Sequence, residues 1–518
     1  MIPEGTNLAG HWMALDGKKG DLLERCEQYA RWTVPSIFPT DDNARTDNPE
    51  ESEKGNVAIG ARLVNHLSHR IVDTMFPNDK PFFAVTLTPE AKRKFFDDAE
   101  PEEKEALDGG LIEAENAAMR ELNLTSYRPV AVNAVSLQIV TGNALIYRMP
   151  NGDRVVYSIR DYSVGREIGG RVREVMLRDC KQFGMLDGDM QNQIEAATKK
   201  KGKSFKYDTD VELYTYYWWE GGKWHMRQAV DEVEIEEAKT SYKEADFPCL
   251  VLAWNLGRGD HYGRGLVEDY SVSFHNIDVL TEAMIDLIGV AADIKFLVND
   301  MSSFDVDAWN NAKRGEYVPG KEGDISVPQY KFAVEVQFIG EAIAKLEREL
   351  AQAFLLSSAG VRDAERVTAE EIRFFAREIE SAFGGLYSRL ALDWQRKEAE
   401  YLLSQIDFQT YLPSGDEAFE TTVVTGLESL SREGKLDALR IAIADLQMLD
   451  AVPQEIRAAF NPLKFAAFIF RNRGVDAEDF LFTQDEMKAN QQAQMAQEER
   501  LMEKQGEVAV ASKAASGR

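Results

Sequence analysis

At 518 residues with 44% hydrophobic content, the chain can form three or four ordinary domains or one large elongated subunit with a sizeable core. Its formal net charge of −28 argues against a conventional nucleic-acid-binding protein, which carries a basic balance. Since no apolar run of about 18 residues exists and the N-terminus lacks a signal-peptide apolar region, we expect a protein made in a cytoplasm that enters no membrane.

The N-terminal part of the chain is predicted to be mainly helical. Helices are expected over residues 21–31, 56–75, 100–121 and 129–139, and strands over 81–88 and 141–149. In the second of these helices, five apolar residues keep a helical period: Val57, Val64, Leu67, Ile71 and Met75. One face of this helix is therefore predicted to lie in the core.

Between residues 153 and 254 the pattern changes to alternating, aromatic and β-branched residues, which favour strands. Strands are expected over residues 155–158, 171–177, 212–219, 224–228 and 250–255. Gly221 and Gly222 separate the third strand from the fourth, and this arrangement predicts a hairpin turn. This part of the chain is therefore predicted to be rich in β-structure.

A second helical region follows the glycine-rich segment 256–265. Residues 266–292 form one predicted helix, with an apolar stripe at Tyr270, Phe274, Ile277, Leu280, Met284 and Ile288. Short strands and turns are expected over 293–340, and another amphipathic helix over 341–356. Two long amphipathic helices need more burial than one subunit offers, which predicts an oligomer.

The longest predicted helix comes next, with one apolar stripe that runs from residue 372 to residue 401. The stripe consists of Ile372, Phe375, Ile379, Phe383, Leu386, Leu390, Trp394 and Tyr401. Its steps are mostly three and four, with one gap of seven at Lys397, and they predict a helix of roughly 34 residues, or ~50 Å. Gly384 and Gly385 lie in its middle, where paired glycines permit a kink.

The start of this long helix carries two capping signals. Thr368 and Glu371 stand at the spacing of a capping box. Val367 and Ile372 stand where a hydrophobic staple would fix the first turn. The helix is therefore predicted to begin at a firmly capped end, after a short charged loop.

No motif for catalysis is found in the sequence. Gly202, Lys203 and Ser204 match the end of a phosphate-binding P-loop, but Ala197 stands where its first glycine belongs and no apolar strand precedes it. A nucleophile elbow of the form G-x-S-x-G is also missing. We therefore expect no catalytic residues, and a packaging ATPase or other nucleic-acid enzyme is disfavoured.

Candidate metal ligands are equally sparse in the sequence. His66 and His69 lie three apart on one helix face, but no H-E-x-x-H motif accompanies them. The pairs Asp208 with Asp210 and Asp305 with Asp307 lack the glycine and glutamate of a calcium loop, so they are interpreted as turn formers. Neither a metal nor a cofactor is expected.

Three short sequence motifs resemble those of a known protein family. They are W-T-V-P-S-I-F-P at 32–39, Y-G-R-G-L-V-E-D-Y at 262–270 and R-V-T-A-E-E-I-R at 366–373. Their order and spacing resemble the portal proteins, or head-to-tail connectors, of short-tailed double-stranded DNA bacteriophages. Gly257 and Gly259, together with Gly263 and Gly265, can be interpreted as a phosphate loop or, as we favour, as a tight turn into the following helix.

The resemblance implies an α+β, portal-type subunit: an α/β wing, two channel-lining stem helices, a small β-containing clip, a long kinked tunnel helix and a helical C-terminal crown. The implied boundaries are wing 1–265, stem helix 266–292, clip 293–340, second stem helix 341–357, tunnel loop 358–367, kinked tunnel helix 368–410, wing and crown helices 411–483, and crown helix with flexible tail 484–518.

The same resemblance implies a function and a set of partners. About twelve copies would form a ring at a unique capsid vertex, through which double-stranded DNA is packaged and ejected without sequence-specific contacts. The ring would bind the terminase motor, tail adaptor proteins, major capsid or scaffold proteins and internal core proteins. It would lie in the virion, after assembly in the host cytoplasm. A capsid or scaffold structural protein without a DNA channel is the alternative.

Four charged residues are candidates for contact with DNA, because the resemblance makes their loop the tunnel loop. Arg362 and Arg366 are its cations, and Asp363 and Glu365 lie beside them, so the net attraction for phosphate is small. A solvated connection between two helices is the alternative interpretation of this loop. The charge of −28 fits a conduit that DNA passes without sticking, and it fits simple solubility equally well.

Overall fold

The structure is a computed structural model that describes residues 7–38, 55–77, 81–87, 101–186, 188–199, 205–231, 233–292, 296–299, 301, 304–326, 333–356, 369–406, 421–424, 465–466 and 468–469. The chain divides into two compact units, residues 1–426 and 427–518. The second unit is described only at residues 465–466 and 468–469. Of the predicted wing and crown helices of 411–483, only residues 421–424, 465–466 and 468–469 are described, and the predicted crown helix and tail of 484–518 lie outside the described residues.

Five helices occupy the N-terminal part of the described chain. They are α1 (Leu8–Asp16), α2 (Gly20–Trp32), α3 (Ala58–Met75), α4 (Pro101–Asn123) and α5 (Tyr127–Thr141). α1 has no counterpart among the predicted helices, and it begins where the Asn7 side chain accepts a hydrogen bond from the Ala9 N–H. The other four helices and the buried stripe of α3 are confirmed.

A small sheet joins these helices to the rest of the first unit. Its central strand is β2 (Asn143–Arg148), which pairs antiparallel with β3 (Arg154–Tyr157) on one side and β9 (Cys249–Ala253) on the other. A separate pair consists of β1 (Ala84–Leu87) and β12 (Thr421–Val424), also antiparallel.

A five-stranded antiparallel sheet forms the predicted β-rich region. Its strands follow chain order: β4 (Tyr162–Arg166), β5 (Val172–Gln182), β6 (Asp210–Glu220), β7 (Lys223–Val230) and β8 (Val233–Tyr242). The predicted hairpin turn is confirmed, because Glu220 pairs with Lys223 and both intervening glycines have positive φ. β4 and β8 are not among the predicted strands.

Both faces of the five-stranded sheet are covered by helices. Trp12 and Leu8 of α1 pack against Tyr214 and Tyr216 on one face. Ile194 of α6 (Gly188–Lys199) belongs to the apolar cluster on the other side of the same strands. Because successive residues of β6 alternate between the two clusters, this sheet is buried on both sides rather than solvated on one.

Two long helices follow the sheets. A single turn, α7 (Leu266–Asp269), leads into α8 (Ser271–Ala292), and α10 (Ala333–Ala353) packs along α8. Between them lie β10 (Leu297–Val298), α9 (Val306–Asn311) and β11 (Ile325–Ser326), with β10 and β11 paired antiparallel. The start predicted for the second helix, residue 341, is wrong, because α10 begins eight residues earlier (341 − 333 = 8).

The long predicted helix of residues 368–410 is divided in the structure. It consists of α11 (Ala369–Ala382), α12 (Leu386–Leu390), one π-helical turn (Ala391–Gln395) and α13 (Arg396–Gln405). The break between α11 and α12 falls at Gly384 and Gly385, where the kink was predicted, and most of the apolar stripe is buried. None of the described helices is both long and apolar enough to cross a membrane.

Candidate functional site

The helix pair, α8 with α10, is the first part of the candidate site. Its two helices run antiparallel, since the Phe274 ring near the start of α8 lies 5.9 Å, edge-on, from the Phe354 ring just beyond the end of α10. Phe274 and Ile277 on α8, and Ile343 and Leu350 on α10, are the buried positions between the helices. Their spacing of three and seven residues keeps each buried stripe on one helix face.

The opposite face of each helix in the pair is exposed. Val279 and Val290 of α8 are each 48% exposed, and Phe338 of α10 is 74% exposed. Large apolar side chains in such positions are typical of a surface that another protein covers. The helix pair is thus half buried within its own subunit and carries large apolar side chains among charged ones on the outside.

The base of α8 is fixed to the first helices through Asp278. Its carboxylate accepts a hydrogen bond from the Trp32 indole N–H at 3.1 Å and another from the backbone N–H of Asn56 at 2.7 Å. The ring of Trp32 also lies 5.9 Å from that of His275. Trp32, the first residue of the W-T-V-P motif, therefore links α2 to α8.

The glycines of the Y-G-R-G-L-V-E-D-Y motif are required by close backbone packing. A Cβ on Gly265 would lie 2.6 Å from the Ile139 carbonyl oxygen, and one on Gly263 would lie 2.8 Å from the Gly142 carbonyl oxygen. Neither glycine has a positive φ, whereas Gly259 shortly before them has a φ of +82° in a turn that the Asp260 N–H closes on the Gly257 carbonyl. The Asn143 side chain completes the junction, because its Oδ1 accepts the Gly263 N–H at 2.7 Å.

The predicted tunnel-loop residues Arg362, Asp363, Glu365 and Arg366 lie outside the described residues, as do Val367 and Thr368. The backbone of Glu371 and Ile372 is helical, but their side chains lie outside the described part. The capping box, the staple and the DNA contact therefore stay predictions. The helices on both sides of this loop are described. α10 ends at Ala353, Leu355 after it has a φ of +55°, and α11 begins at Ala369.

Gly384 and Gly385, named here the glycine joint, separate α11 from α12. Their φ values of +56° and +85° lie in the left-handed region, which favours glycine. The Glu380 side chain bridges the joint, since its Oε2 accepts the backbone N–H of Ser388 at 3.0 Å. The joint is thus a full break in the helix, with one carboxylate holding its two sides together.

The segment after the glycine joint is anchored to three different elements. The Trp394 indole N–H donates to the Tyr127 hydroxyl at 2.7 Å, and the Gln395 amide donates to the Met75 carbonyl at 2.6 Å. Arg389 donates to the Trp254 carbonyl at 2.8 Å. α12 and the π-helical turn are therefore held against the ends of α3, α5 and β9.

A buried ion cluster of Arg148, Arg154 and Glu398 completes this anchorage. Arg148 donates to Oε2 of Glu398 at 3.0 and 3.1 Å, and Arg154 donates to Oε1 at 2.6 and 3.0 Å. The Glu398 side chain is fully buried, and both arginine side chains are 3% exposed. The cluster joins the β2–β3 hairpin to α13.

The electrostatics of the ion cluster favour the ionised carboxylate. Burial alone would raise the pKa of Glu398, but the guanidinium groups of Arg148 and Arg154 outweigh it and hold that pKa below its ordinary value. The cluster keeps one excess positive charge, and the Tyr401 ring lies 4.3 Å from the Arg148 guanidinium carbon. Each guanidinium also donates to backbone carbonyls, so the buried charge is well solvated by the protein.

Sequence reasoning missed this cluster, although a signal for it exists. The apolar stripe of the long helix skips from Trp394 to Tyr401, and the position four after Trp394 is Glu398 (394 + 4 = 398). A carboxylate at a stripe position indicates a buried, paired charge. The arginine partners carry no comparable signal, because Arg148 and Arg154 simply face each other across the turn of an ordinary hairpin.

The described part of the chain contains no candidate metal site. There, no three His, Cys, Asp or Glu side chains come close enough together to hold a metal ion. Asp305 caps α9 by accepting the backbone N–H groups of Asp307 and Ala308, each at 3.0 Å, which confirms its interpretation as a turn former. The Asp305 carboxylate thus stabilises the start of α9.

Comparison with known proteins gives a consistent result. The chain matches the family described as "Bacteriophage head to tail connecting protein" over residues 6–481. It is 31% identical over 501 residues to the portal protein of Enterobacteria phage SP6, which covers 95% of this chain and 93% of that protein. It is 29% identical over 485 residues to the portal protein of Escherichia phage T7, which covers 92% of this chain and 87% of the relative.

Solved structures give weaker matches. The virion of a native gene transfer agent particle contains a chain 13% identical to this one, with a TM-score of 0.35, and the match covers 74% of this chain and 86% of that chain. The neck of the native particle, computed with C12 symmetry, gives 12% identity and the same TM-score over 79% of this chain and 89% of that chain.

Proposed function

The chain belongs to the family of bacteriophage head-to-tail connecting proteins, and from this premise we propose that it is a portal subunit. Copies of it form a ring at one vertex of the capsid. Double-stranded DNA passes through this ring when the genome is packaged and again when it is ejected. The protein belongs to the virion, and it provides a passage and a docking platform rather than a catalytic activity.

The exposed outer faces of the helix pair are the observation that carries this proposal. Val279, Val290 and Phe338 are exposed in the isolated subunit, and full burial of each such side chain contributes about 1.5–3 kcal/mol. A closed ring of identical subunits covers these faces with heterologous contacts, in which one face of each subunit meets a different face of its neighbour.

The charge of the helix pair fits a passage for DNA. α8 contains no Lys or Arg, and α10 contains four acidic residues against Lys345 and Arg348. Because each phosphate contact by a cation adds salt-dependent affinity, a surface with few cations lets DNA slide past. The alternative of a capsid or scaffold protein without a channel is disfavoured, since relatives that cover 90–95% of the chain are portal proteins.

The remaining details of the proposal are supported by the family resemblance. The ring contains about twelve subunits and assembles in the host cytoplasm. The terminase motor docks on it during packaging, tail adaptor proteins bind at the clip, and capsid, scaffold and internal core proteins contact the rest. Contacts with double-stranded DNA are made to phosphates, without sequence specificity. No membrane, metal or cofactor takes part.

The purified full-length chain is expected to form closed rings at micromolar concentration. Twelve copies of the 58.3 kDa chain have a mass of about 700 kDa (12 × 58.3 = 699.6). Native mass spectrometry measures this mass, and class-averaged negative-stain micrographs show whether an axial hole is present. Particles of only 58 kDa, or assemblies without a hole, would contradict the proposed function.

Replacing both Arg362 and Arg366 with alanine is expected to impair DNA retention while rings form normally. The two arginines precede the predicted cap at Thr368, so their loss leaves the following helix intact. The measurement is the amount of DNA that filled heads retain, beside micrographs of the rings. Thr368→Ala is the control, because loss of a cap costs ~1 kcal/mol and acts on folding. Wild-type filling and retention by the double variant would leave this loop without a role in DNA passage.

A further inference from the structure

One contact between α8 and α10 fixes the register of the two helices, so that the height of each residue can be counted along the helix axes from it. Phe274 and Phe354 lie side by side, and the two helices run away from this point together because they are antiparallel. Sixteen residues further, Val290 of α8 and Phe338 of α10 stand at the same height (274 + 16 = 290; 354 − 16 = 338). At 1.5 Å per residue this height is about 24 Å above the phenylalanine contact.

The outer face of each helix can be defined by its spacing. On α8 it consists of Val279, Glu282, Asp286 and Val290, with steps of three and four. On α10 it consists of Phe338, Glu341, Lys345 and Arg348, with the same steps. All eight side chains are exposed, and they point away from the buried stripes that join the two helices.

The two outer faces carry complementary charges. Glu282 and Asp286 pair with no cation in the part of the chain that the structure describes, and α8 itself contains none. Lys345 and Arg348 supply cations on the outer face of α10, although Lys345 also approaches Glu349 to 4.0 Å. Glu282 stands between the two cations in height, since Lys345 is level with residue 283 of α8 (274 + 354 − 345 = 283) and Arg348 with residue 280. Asp286 stands three residues beyond the level of Lys345, next to the level of Glu341 (274 + 354 − 341 = 287).

We propose that in the ring the outer face of α8 of one subunit packs on the outer face of α10 of the next subunit. Neighbouring subunits of a ring are related by rotation about its axis, which leaves the height of a residue along that axis unchanged. Where the helices run along the axis, a residue of α8 therefore meets the residue of the neighbouring α10 that stands at the same height. Glu282 then faces Lys345 and Arg348, Asp286 lies about 4.5 Å in height from Lys345, and Val290 packs on Phe338. This pairing rests on the proposed ring, and it adds which faces meet and in which register.

A disulfide between the two outer faces tests this register directly. Val290→Cys with Phe338→Cys is made in a Cys180→Ser background, since Cys180 is an exposed thiol. Because bridged cysteines need Cα atoms within about 7 Å, oxidation of assembled rings is expected to link neighbouring subunits into a ladder of covalent multimers on a non-reducing gel. The two faces point away from each other within one subunit, so a bridge inside a single chain is excluded.

The matched control moves one cysteine along the same face. Gln352 lies on the outer face of α10, about 21 Å from Phe338 (352 − 338 = 14 residues). Val290→Cys with Gln352→Cys is therefore expected to give no ladder. A ladder from the control pair and none from Val290 with Phe338 would overturn the proposed register.

Charge reversal provides a second, independent test on the full chain. Lys345→Glu with Arg348→Glu, and separately Glu282→Lys with Asp286→Lys, are expected to raise the subunit concentration needed for half-assembly at least tenfold at low salt. All four changes together are expected to restore it to within about threefold. Lys223→Glu with Lys243→Glu, on the exposed end of the five-stranded sheet, carries the same charge change as the first pair and is expected to have no such effect.

The outcomes separate this inference from the proposed function. Rings of normal mass that show neither a disulfide ladder nor charge rescue would overturn the pairing of α8 with α10 and leave the portal assignment intact. Subunits that form no ring at all, in the wild-type chain, would contradict the portal assignment itself.

Discussion

Replacing Glu398 with glutamine is expected to lower the free energy of unfolding by about 3–5 kcal/mol, because removal of one partner leaves buried charge uncompensated. Arg148 and Arg154 are both almost fully buried and both aim at this one carboxylate. The amide keeps the size of the side chain but removes the negative charge. Urea unfolding of the purified chain, followed by tryptophan fluorescence, measures the loss.

A triple replacement serves as the control for this prediction. Arg148→Met, Arg154→Met and Glu398→Leu together remove all three charges and keep most of the volume, so the loss is expected to be smaller than that of Glu398→Gln alone. It will not vanish, since the Phe247 and Lys397 carbonyls lose their donors. A change below about 1 kcal/mol for the single variant would show that water reaches the cluster.

Replacing Gly142 with alanine is expected to be comparably damaging, for a steric reason. Gly142 ends α5 with a φ of +78°, and a Cβ there would lie 2.5 Å from backbone atoms of Gly263, Arg264 and Gly265. The left-handed conformation costs about 1–3 kcal/mol in a non-glycine residue, and overpacking against rigid backbone adds a similar amount. Thermal unfolding of the variant measures the sum.

Gly221 provides the matched control for the steric part. Its φ of +57° is also left-handed, but a Cβ there would meet no atom within 4 Å. Gly221→Ala should therefore show the conformational cost alone. Equal losses at the two glycines would mean that the Y-G-R-G-L segment moves aside, and that its close packing on α5 contributes nothing to stability.

The sequence was sufficient to predict elements whose signal is local. Apolar spacing located α2, α3, α4, α5 and α8, and two glycines in a row located the hairpin turn. The stripe of the long helix was also correct in its buried residues, from Phe375 to Trp394. The paired glycines Gly384 and Gly385 also located the interruption of this helix, whereas the π-helical turn at Ala391–Gln395 has no sequence signal that we recognised.

Contacts between residues that are far apart in the sequence could not be predicted from the sequence. The glycines at 263 and 265 were interpreted as a local turn, whereas they are needed because α5 and Gly142 approach them from 120 residues away. The partners of Glu398 lie 250 and 244 positions earlier. Spacing within one element carries no information about which other element will cover it.

The pairing of β1 with β12 has a consequence for chain synthesis. Leu87 pairs with Thr421, 334 positions later (421 − 87 = 334), so at about 5–20 residues per second the ribosome needs roughly 17–67 s between the two strands. The helix pair emerges within that interval, and β1 waits with an unpaired edge. A chain that terminates before residue 421 thus carries both halves of the contact between neighbours and an incomplete first unit. Until residue 421 has been made, the edge of β1 therefore stays open to pairing with other chains.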